Sequence, residues 1–169
     1  MAEDLEIRLL REGDAQIISQ AFKHIGWNKP ASKYQEYLME QSAGTRICFV
    51  AAVENRFAGY VTVNWAAAYP GFAEQNIHEI QDLNVLPQFR RAGIGTRLLD
   101  RAEEEVTHRS NIVGIGVGLH PGYSSAQRLY VKRGYIPDGR GVWYRDHVVE
   151  EGMQAVFDDE LVLHFTKRL

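Results

Sequence analysis

The 169-residue chain is long enough for one domain that buries most of its apolar surface, and its 45% hydrophobic and 24% charged residues are ordinary for a globular protein. A formal net charge of −3 argues against a general affinity for nucleic acid, which needs a basic face, and the single Cys48 excludes an internal disulfide. The acidic start Met1-Ala2-Glu3-Asp4-Leu5-Glu6 reads as neither a secretory signal nor a transit peptide, and no stretch approaches the roughly 20 apolar residues of a membrane span. The cytoplasm is the expected compartment, with no membrane partner.

No repeat or long linker divides the chain, so residues 1–169 are read as a single domain. Leu5 to Leu10 predicts a short strand. Gly13 to Ile25 predicts a helix, with Ile17, Ile18, Ala21, Phe22 and Ile25 at helical spacing. After Gly26 and Pro30 a second helix runs through Tyr34, Tyr37 and Leu38. Thr45–Val53 and Arg56–Trp65 form a hairpin about Glu54-Asn55, and Cys48 sits in its first strand as an inert packing residue. The aromatic loop Trp65 to Phe72 leads into a third extended run, Ile77–Val85.

Ile94, Leu98, Ala102 and Val106 recur every four residues, which marks an amphipathic helix. Ile112–Leu119 predicts a strand in which Gly114, Gly116 and Gly118 let another backbone or a ligand approach. Ser124-Ser125-Ala126-Gln127 matches a capping box, with Ser124 as N-cap and Gln127 reaching back. That helix carries Lys132 and Arg133 in its last turn and should stop at Gly134 in the left-handed conformation. A short strand at Tyr135, a glycine-rich turn, a stretch around Val142–Tyr144 and a last strand at Leu161–Thr166 complete a mixed α/β order, with helices on the faces of a sheet.

The segment from Leu83 to Arg97 carries the chemistry. A strand ends near Val85 and a helix begins around Gly93-Ile94-Gly95, where free backbone N–H groups and the positive end of the helix dipole favour an anion. A helix without a ligand prefers acids first and bases last. Here Arg90, Arg91 and Arg97 lie at the start and Glu103-Glu104-Glu105 towards the end. A habitual phosphate at the N-terminus rationalises this inversion, as does a solvated helix with unoptimised charge. No Lys-Ser/Thr follows the glycines as a Walker loop requires, and Leu98 stands where a dinucleotide fingerprint needs its third glycine.

Arg90-x-x-Gly93-x-Gly95, preceded by Leu83-x-Val85-x-Pro87, resembles the core motif of the GNAT superfamily of acetyl-CoA-dependent N-acetyltransferases. A second family motif matches Ala126, Tyr130, Gly134 and Tyr135, with Tyr123 where the family usually has Asn. The resemblance implies an α/β (α+β) fold, a mixed and mostly antiparallel central sheet flanked by helices on both faces. It implies direct transfer of an acetyl group from acetyl-CoA to a primary amine, with coenzyme A leaving as a thiol. By the same resemblance Tyr130 is the general acid and Glu79 the base, directly or through water. The backbone of Leu83 and Val85 would bond the pantetheine arm. The loop Arg90, Arg91, Ala92, Gly93, Ile94, Gly95 and Thr96 would hold the pyrophosphate, and Ser124 would add a contact from the second motif.

On a regular strand Glu79, Gln81, Leu83 and Val85 share one face and Asp82 points to the other, unless a bulge changes the parity. The six histidines show no metal spacing, so no metal is expected, and His78, His120 and His164 read as structural. Trp27, Trp65, Tyr69 and Phe72 either line a pocket for the amine or close the core. The acceptor is read as a small molecule. The rivals are a protein acetyltransferase acting on a lysine or N-terminus, a non-catalytic acetyl-CoA sensor and a nucleotide-binding module outside the family. A homodimer is left open.

Overall fold

The computed structural model describes residues 4–169, which form eight strands and five α-helices. The fold is the expected mixed, mostly antiparallel α/β one. The chain divides into two compact units: one runs through Trp65 and takes in Ile80–Glu105, and the other comprises Ala66–Glu79 and Val106–Leu169. No helix among the described residues is long and apolar enough to cross a membrane.

In the first unit the strands lie in the order β1 (Leu5–Leu9), β2 (Arg46–Val53), β3 (Arg56–Asn64), β4 (His78–Val85), the last strand beginning in the other unit. β1 pairs antiparallel with β2 from Leu5↔Val53 to Leu9↔Phe49, and β2 pairs antiparallel with β3. The hairpin between β2 and β3 turns on Glu54 and Asn55, both left-handed at φ 50° and 61°. Two successive positive φ values give the twist that a two-residue hairpin loop needs.

Helices cover both faces of these strands. Cys48, Val50 and Tyr60 share a core with Ile18 and Phe22 of α1 (Asp14–His24) and with Tyr34 and Tyr37 of α2 (Ala31–Ala43). Phe49 alternates to the opposite face, where the Arg101 guanidinium of α4 (Ile94–Thr107) lies 4.5 Å from its ring centroid. The stripe Ile94, Leu98, Leu99 and Ala102 buries the inner side of α4, as its spacing predicts. Each isoleucine or leucine of the stripe contributes about 1.5–3 kcal/mol by leaving water. Cys48 is fully buried and burial pushes its thiol pKa up, which suits packing rather than reaction.

In the second unit the order is β5 (Ile112–Gly118), β8 (Leu161–Arg168), β6 (Ile136–Tyr144), β7 (His147–Val148). The short α3 (Pro70–Ala73) lies in the aromatic segment, and α5 (Ser124–Lys132) follows β5. Three expectations need correction here.

The strand at Tyr135 and the stretch at Val142 are one strand, β6. Its pairing with β8 slips between Pro137 and Val142, where Gly139 and Gly141 take φ 81° and 77°. The capping box does not form. The 3₁₀ turn Pro121–Tyr123 leads directly into α5, and the Gln127 amide donates to the Gly118 carbonyl at 2.9 Å instead of reaching back. The glycines of β5 admit aromatic side chains. A Cβ on Gly114 would lie 2.5 Å from the Phe72 ring, and one on Gly118 would lie 2.3 Å from the Tyr123 ring. A Cβ on Gly116 would press on Val162 and His164. Gly134 does end α5 left-handed, at φ 87°.

Candidate active site

The loop singled out in the sequence enters α4 through two left-handed residues, Arg91 at φ 63° and Gly93 at φ 79°. For Arg91 this conformation costs about 1 kcal/mol. Left-handed residues interspersed in a loop can turn successive N–H groups towards one concavity, a geometry that binds anions. No atom lies within 4 Å of a Cβ built on Gly93, so the concavity is open on that side. The first turn of α4 holds no acid, and its first i→i−4 bond here runs from Arg97 N–H to the Gly93 carbonyl.

Arg90, Arg91, Thr96 and Arg97 are exposed, as are Ala92 and Gly93, whereas the Ile94 side chain is buried in the core. The Arg90 Nε donates to the Val85 carbonyl at 3.1 Å, and its guanidinium lies 5.8 Å from the centroid of the Trp27 ring. Upstream, Gly59 lets β3 and β4 approach closely, since a Cβ there would meet the Asn84 carbonyl oxygen at 2.5 Å. These residues fit a pyrophosphate: open glycine, exposed guanidinium charge and a helix start.

The face of β4 does not follow regular alternation. Gln81 Oε1 accepts from Arg46 Nη1 at 2.9 Å, Asp82 Oδ2 accepts from the Tyr37 hydroxyl at 2.5 Å, and Asn84 Nδ2 donates to the Tyr60 hydroxyl at 3.4 Å. Arg46 and Tyr60 sit on the α1–α2 face, so Gln81 and Asp82 reach the same side although they are consecutive. Asp82 takes φ 54° to do this, as the extra residue of a bulge does. The expectation that Gln81 keeps one face with Leu83 and Val85 therefore fails.

Asp82 is the centre of a network the sequence reading passed over. The Lys33 ammonium lies 2.6 Å from Oδ2, and the Tyr60 hydroxyl donates to the same oxygen at 3.4 Å. Tyr34 and Tyr60 hydroxyls are 3.5 Å apart, and the Lys29 ammonium reaches the Tyr60 oxygen at 3.4 Å. Burial alone would raise the Asp82 carboxyl, but Lys33 and the Tyr37 hydroxyl outweigh it and hold the group below its ordinary range. Burial pushes the Tyr34 phenol up to about 12, and the Tyr37 and Tyr60 phenols also rise, by burial and by the Asp82 charge. All three stay protonated at neutral pH. The available signals were Tyr34 and Tyr37 three residues apart on α2, but they serve equally as core markers.

The second unit holds the other predicted residues. Tyr130 on α5 is 5% exposed, its ring 5.8 Å from that of Tyr135, and burial raises its phenol pKa. Glu79, near the start of β4, is 7% exposed. Ser124 is exposed at the first position of α5. Tyr123 rests on Gly118 and donates its hydroxyl to Asp159 Oδ1 at 3.1 Å, so at this position a ring fills a socket. His120 Nδ1 accepts from the Gly122 N–H, which leaves Nε2 to donate to Asp159 at 2.7 Å.

Of the four aromatics weighed for a pocket, Phe72 and Tyr69 are core residues. Tyr69 stacks flat on His164 with centroids 3.5 Å apart, and its hydroxyl donates to Asp138 Oδ2 at 2.6 Å. Trp27 is a third exposed and stacks on Phe22. His164 is 7% exposed, its Nδ1 is buried with no hydrogen-bond partner, and burial lowers its pKa to about 4. Among the described residues no cluster of three or more His, Cys, Asp or Glu side chains is arranged to hold a metal ion.

Comparison with known proteins gives the family. The acetyltransferase (GNAT) family profile matches residues 15–135. No curated relative matches the sequence. Among solved structures, the chain resembles the ribosomal-protein-alanine N-acetyltransferase of Brucella melitensis at TM-score 0.70 and 20% identity, covering 97% of this chain and 99% of that one. A Salmonella typhimurium protein solved with its cofactor acetyl-CoA matches at TM-score 0.69 and 17% identity, over 98% and 94% of the two chains. A chimera of the Vibrio cholerae spermidine N-acetyltransferase matches at TM-score 0.68 and 16% identity, over 98% and 96%. The structural likenesses speak for the fold and the profile for the lineage: the chain belongs to the GNAT family of acetyltransferases and is an acyltransferase.

Proposed function

We propose that residues 1–169 form a single N-acetyltransferase domain that moves an acetyl group from acetyl-CoA to a primary amine of a small molecule. The observation that carries this reading is the entry to α4, where left-handed Arg91 and Gly93 precede a first turn without acid. In this reading the N–H groups of Arg91, Ala92, Gly93, Ile94, Gly95 and Thr96 hold the pyrophosphate, and Arg90 and Arg91 add charge. The backbone of Leu83 and Val85 bonds the pantetheine arm, and Ser124 adds a contact from the second motif. When bound, acetyl-CoA supplies an activated thioester.

The chain's own groups then manage protons. Glu79 takes one from the acceptor nitrogen, directly or through water, so that its lone pair is available. Tyr130 gives one to the departing sulfur. Its raised pKa supports that role, because the phenol still holds its proton at neutral pH.

Release of free thiol from acetyl-CoA, followed across a panel of amines, tests the reading. Tyr130→Phe should lower kcat by about 10²-fold or more with little change in cofactor affinity, the range of a lost general acid. Unchanged turnover would remove Tyr130 from the chemistry. Gly95→Val should abolish acetyl-CoA binding while circular dichroism stays native, and undiminished binding would refute the loop assignment. Thiol release with peptide amines alone would move the acceptor to a protein.

A further inference from the structure

The first unit contains a cation site that its own lysines occupy. The Asp82 carboxylate is 27% exposed and is ringed by the hydroxyls of Tyr37 and Tyr60. The Lys33 ammonium sits 2.6 Å from Oδ2 and 5.6 Å from the centroid of the Tyr37 ring. The Lys29 ammonium lies 5.2 Å and 5.8 Å from the ring centroids of Phe22 and Tyr60. An anion walled by aromatic faces is the usual recognition element for an ammonium group. Both lysines hold their heads there on flexible four-carbon stems, and Lys33 keeps a third of its side chain in water.

Position supports a ligand role. A cleft of about 350 Å³, lined by Ser19, Lys23, Gly26, Trp27, Asn28 and Lys29, shares Lys29 with the network, and Asp82 itself keeps 27% of its side chain exposed. Asp82 immediately precedes Leu83–Val85, the segment assigned above to the pantetheine arm. It reaches this face only through a left-handed conformation that a non-glycine residue adopts at a cost.

The chemistry of the reaction selects among amines. The nitrogen that attacks must give up a proton, and a carboxylate already paired with Lys33 and the Tyr37 hydroxyl is a poor acceptor for it. Asp82 suits a second nitrogen that stays protonated throughout. We propose that Asp82, with Tyr37 and Tyr60, binds the distal ammonium of a small diamine acceptor, and that Lys33 occupies this place until the diamine displaces it.

This rests on the amine-acetylation reading, and the experiment separates the two. Calorimetry on the protein saturated with coenzyme A would compare 1,5-diaminopentane with pentylamine, which lacks only the second ammonium. Wild type should bind the diamine at least tenfold more tightly. Lys33→Ala, which vacates the carboxylate, should strengthen diamine binding threefold or more and leave pentylamine unchanged. Asp82→Asn should erase the preference.

Equal binding of the two amines by wild type, a preference that survives Asp82→Asn, or weaker diamine binding in Lys33→Ala would overturn the proposal. Should Asp82→Asn fail to fold by circular dichroism, the Lys33→Ala result decides alone. Thiol release with the same amines is read separately. A binding preference without turnover would sink the acetylation reading and keep the subsite, whereas turnover without a preference would do the reverse.

Discussion

The two units each gather aromatic rings around a titratable side chain, and they treat charge in opposite ways. In the first, Tyr37 and Tyr60 turn hydroxyls towards Asp82, Tyr34 backs Tyr60, and Lys33 with the Tyr37 hydroxyl keeps the carboxylate anionic. In the second, Tyr69 and Phe72 present ring faces and edges to His164, leave its Nδ1 without a partner and keep it neutral. The difference lies in where the phenol oxygens point. Tyr69 spends its hydroxyl on Asp138, so only its ring serves the histidine. A cage of tyrosines can thus hold a charge or expel one, depending on the direction of one bond.

The largest effect should come from emptying the second cage. Phe72 is fully buried against Gly114, Tyr69 and His164, so Phe72→Ala should cost about 3–5 kcal/mol in urea unfolding. A loss below 1 kcal/mol would mean the glycine socket closes over the gap.

Next comes acid. His164 has a folded-state pKa near 4 against an ordinary 6.5, so the unfolded chain takes up a proton first as pH falls. Stability is then complete above pH 6.5 and declines down to pH 4, by about 3 kcal/mol at about 1.4 kcal/mol per unit. His164→Phe should remove this share of the decline. Parallel stability curves for the two proteins between pH 7 and 4 would show that His164 does not titrate as its surroundings dictate.

The first cage should respond less, with the same sign of linkage but at lower pH. Tyr37→Phe removes one hydrogen bond to a charged acceptor, worth about 1.5–3 kcal/mol at neutral pH. Asp82 has a depressed pKa, so its contribution is present above the ordinary carboxylate range and is lost as pH falls through the folded value. Without the Tyr37 donor that value rises towards the ordinary one, so the acid loss should be smaller and end at higher pH. An unshifted acid limb would assign Asp82 to Lys33 alone.

Much of this was legible in the chain. Helix and strand positions follow from apolar spacing, and the phosphate loop from its glycines and arginines, because these signals are local. What was not legible depends on a single backbone choice or on a distant ring. Asp82 adopts the left-handed conformation with no glycine to announce it, and that residue reverses which side chains of β4 face Tyr60. Ser124 and Gln127 have capping-box spacing, yet a 3₁₀ turn arrives first and Gln127 finds the Gly118 carbonyl. The two halves of β6 read as separate because the pairing slips between Pro137 and Val142. The glycines of β5 announced that something approaches, but not that it would be Phe72, His164 and Tyr123.

The sockets of β5 also bear on how such a chain can change over time. Gly118 and Tyr123 fit as hole and plug, so neither position is free to vary alone. Even an alanine at 118 would collide with the ring, whereas the asparagine usual in the family at 123 would leave the hole unfilled. Lineages related to this one should therefore exchange the two residues together, and a chain with a side chain at 118 should carry a smaller one at 123. The same coupling should link 114 with 72, so that substitutions in β5 become permissive only after the facing ring has shrunk.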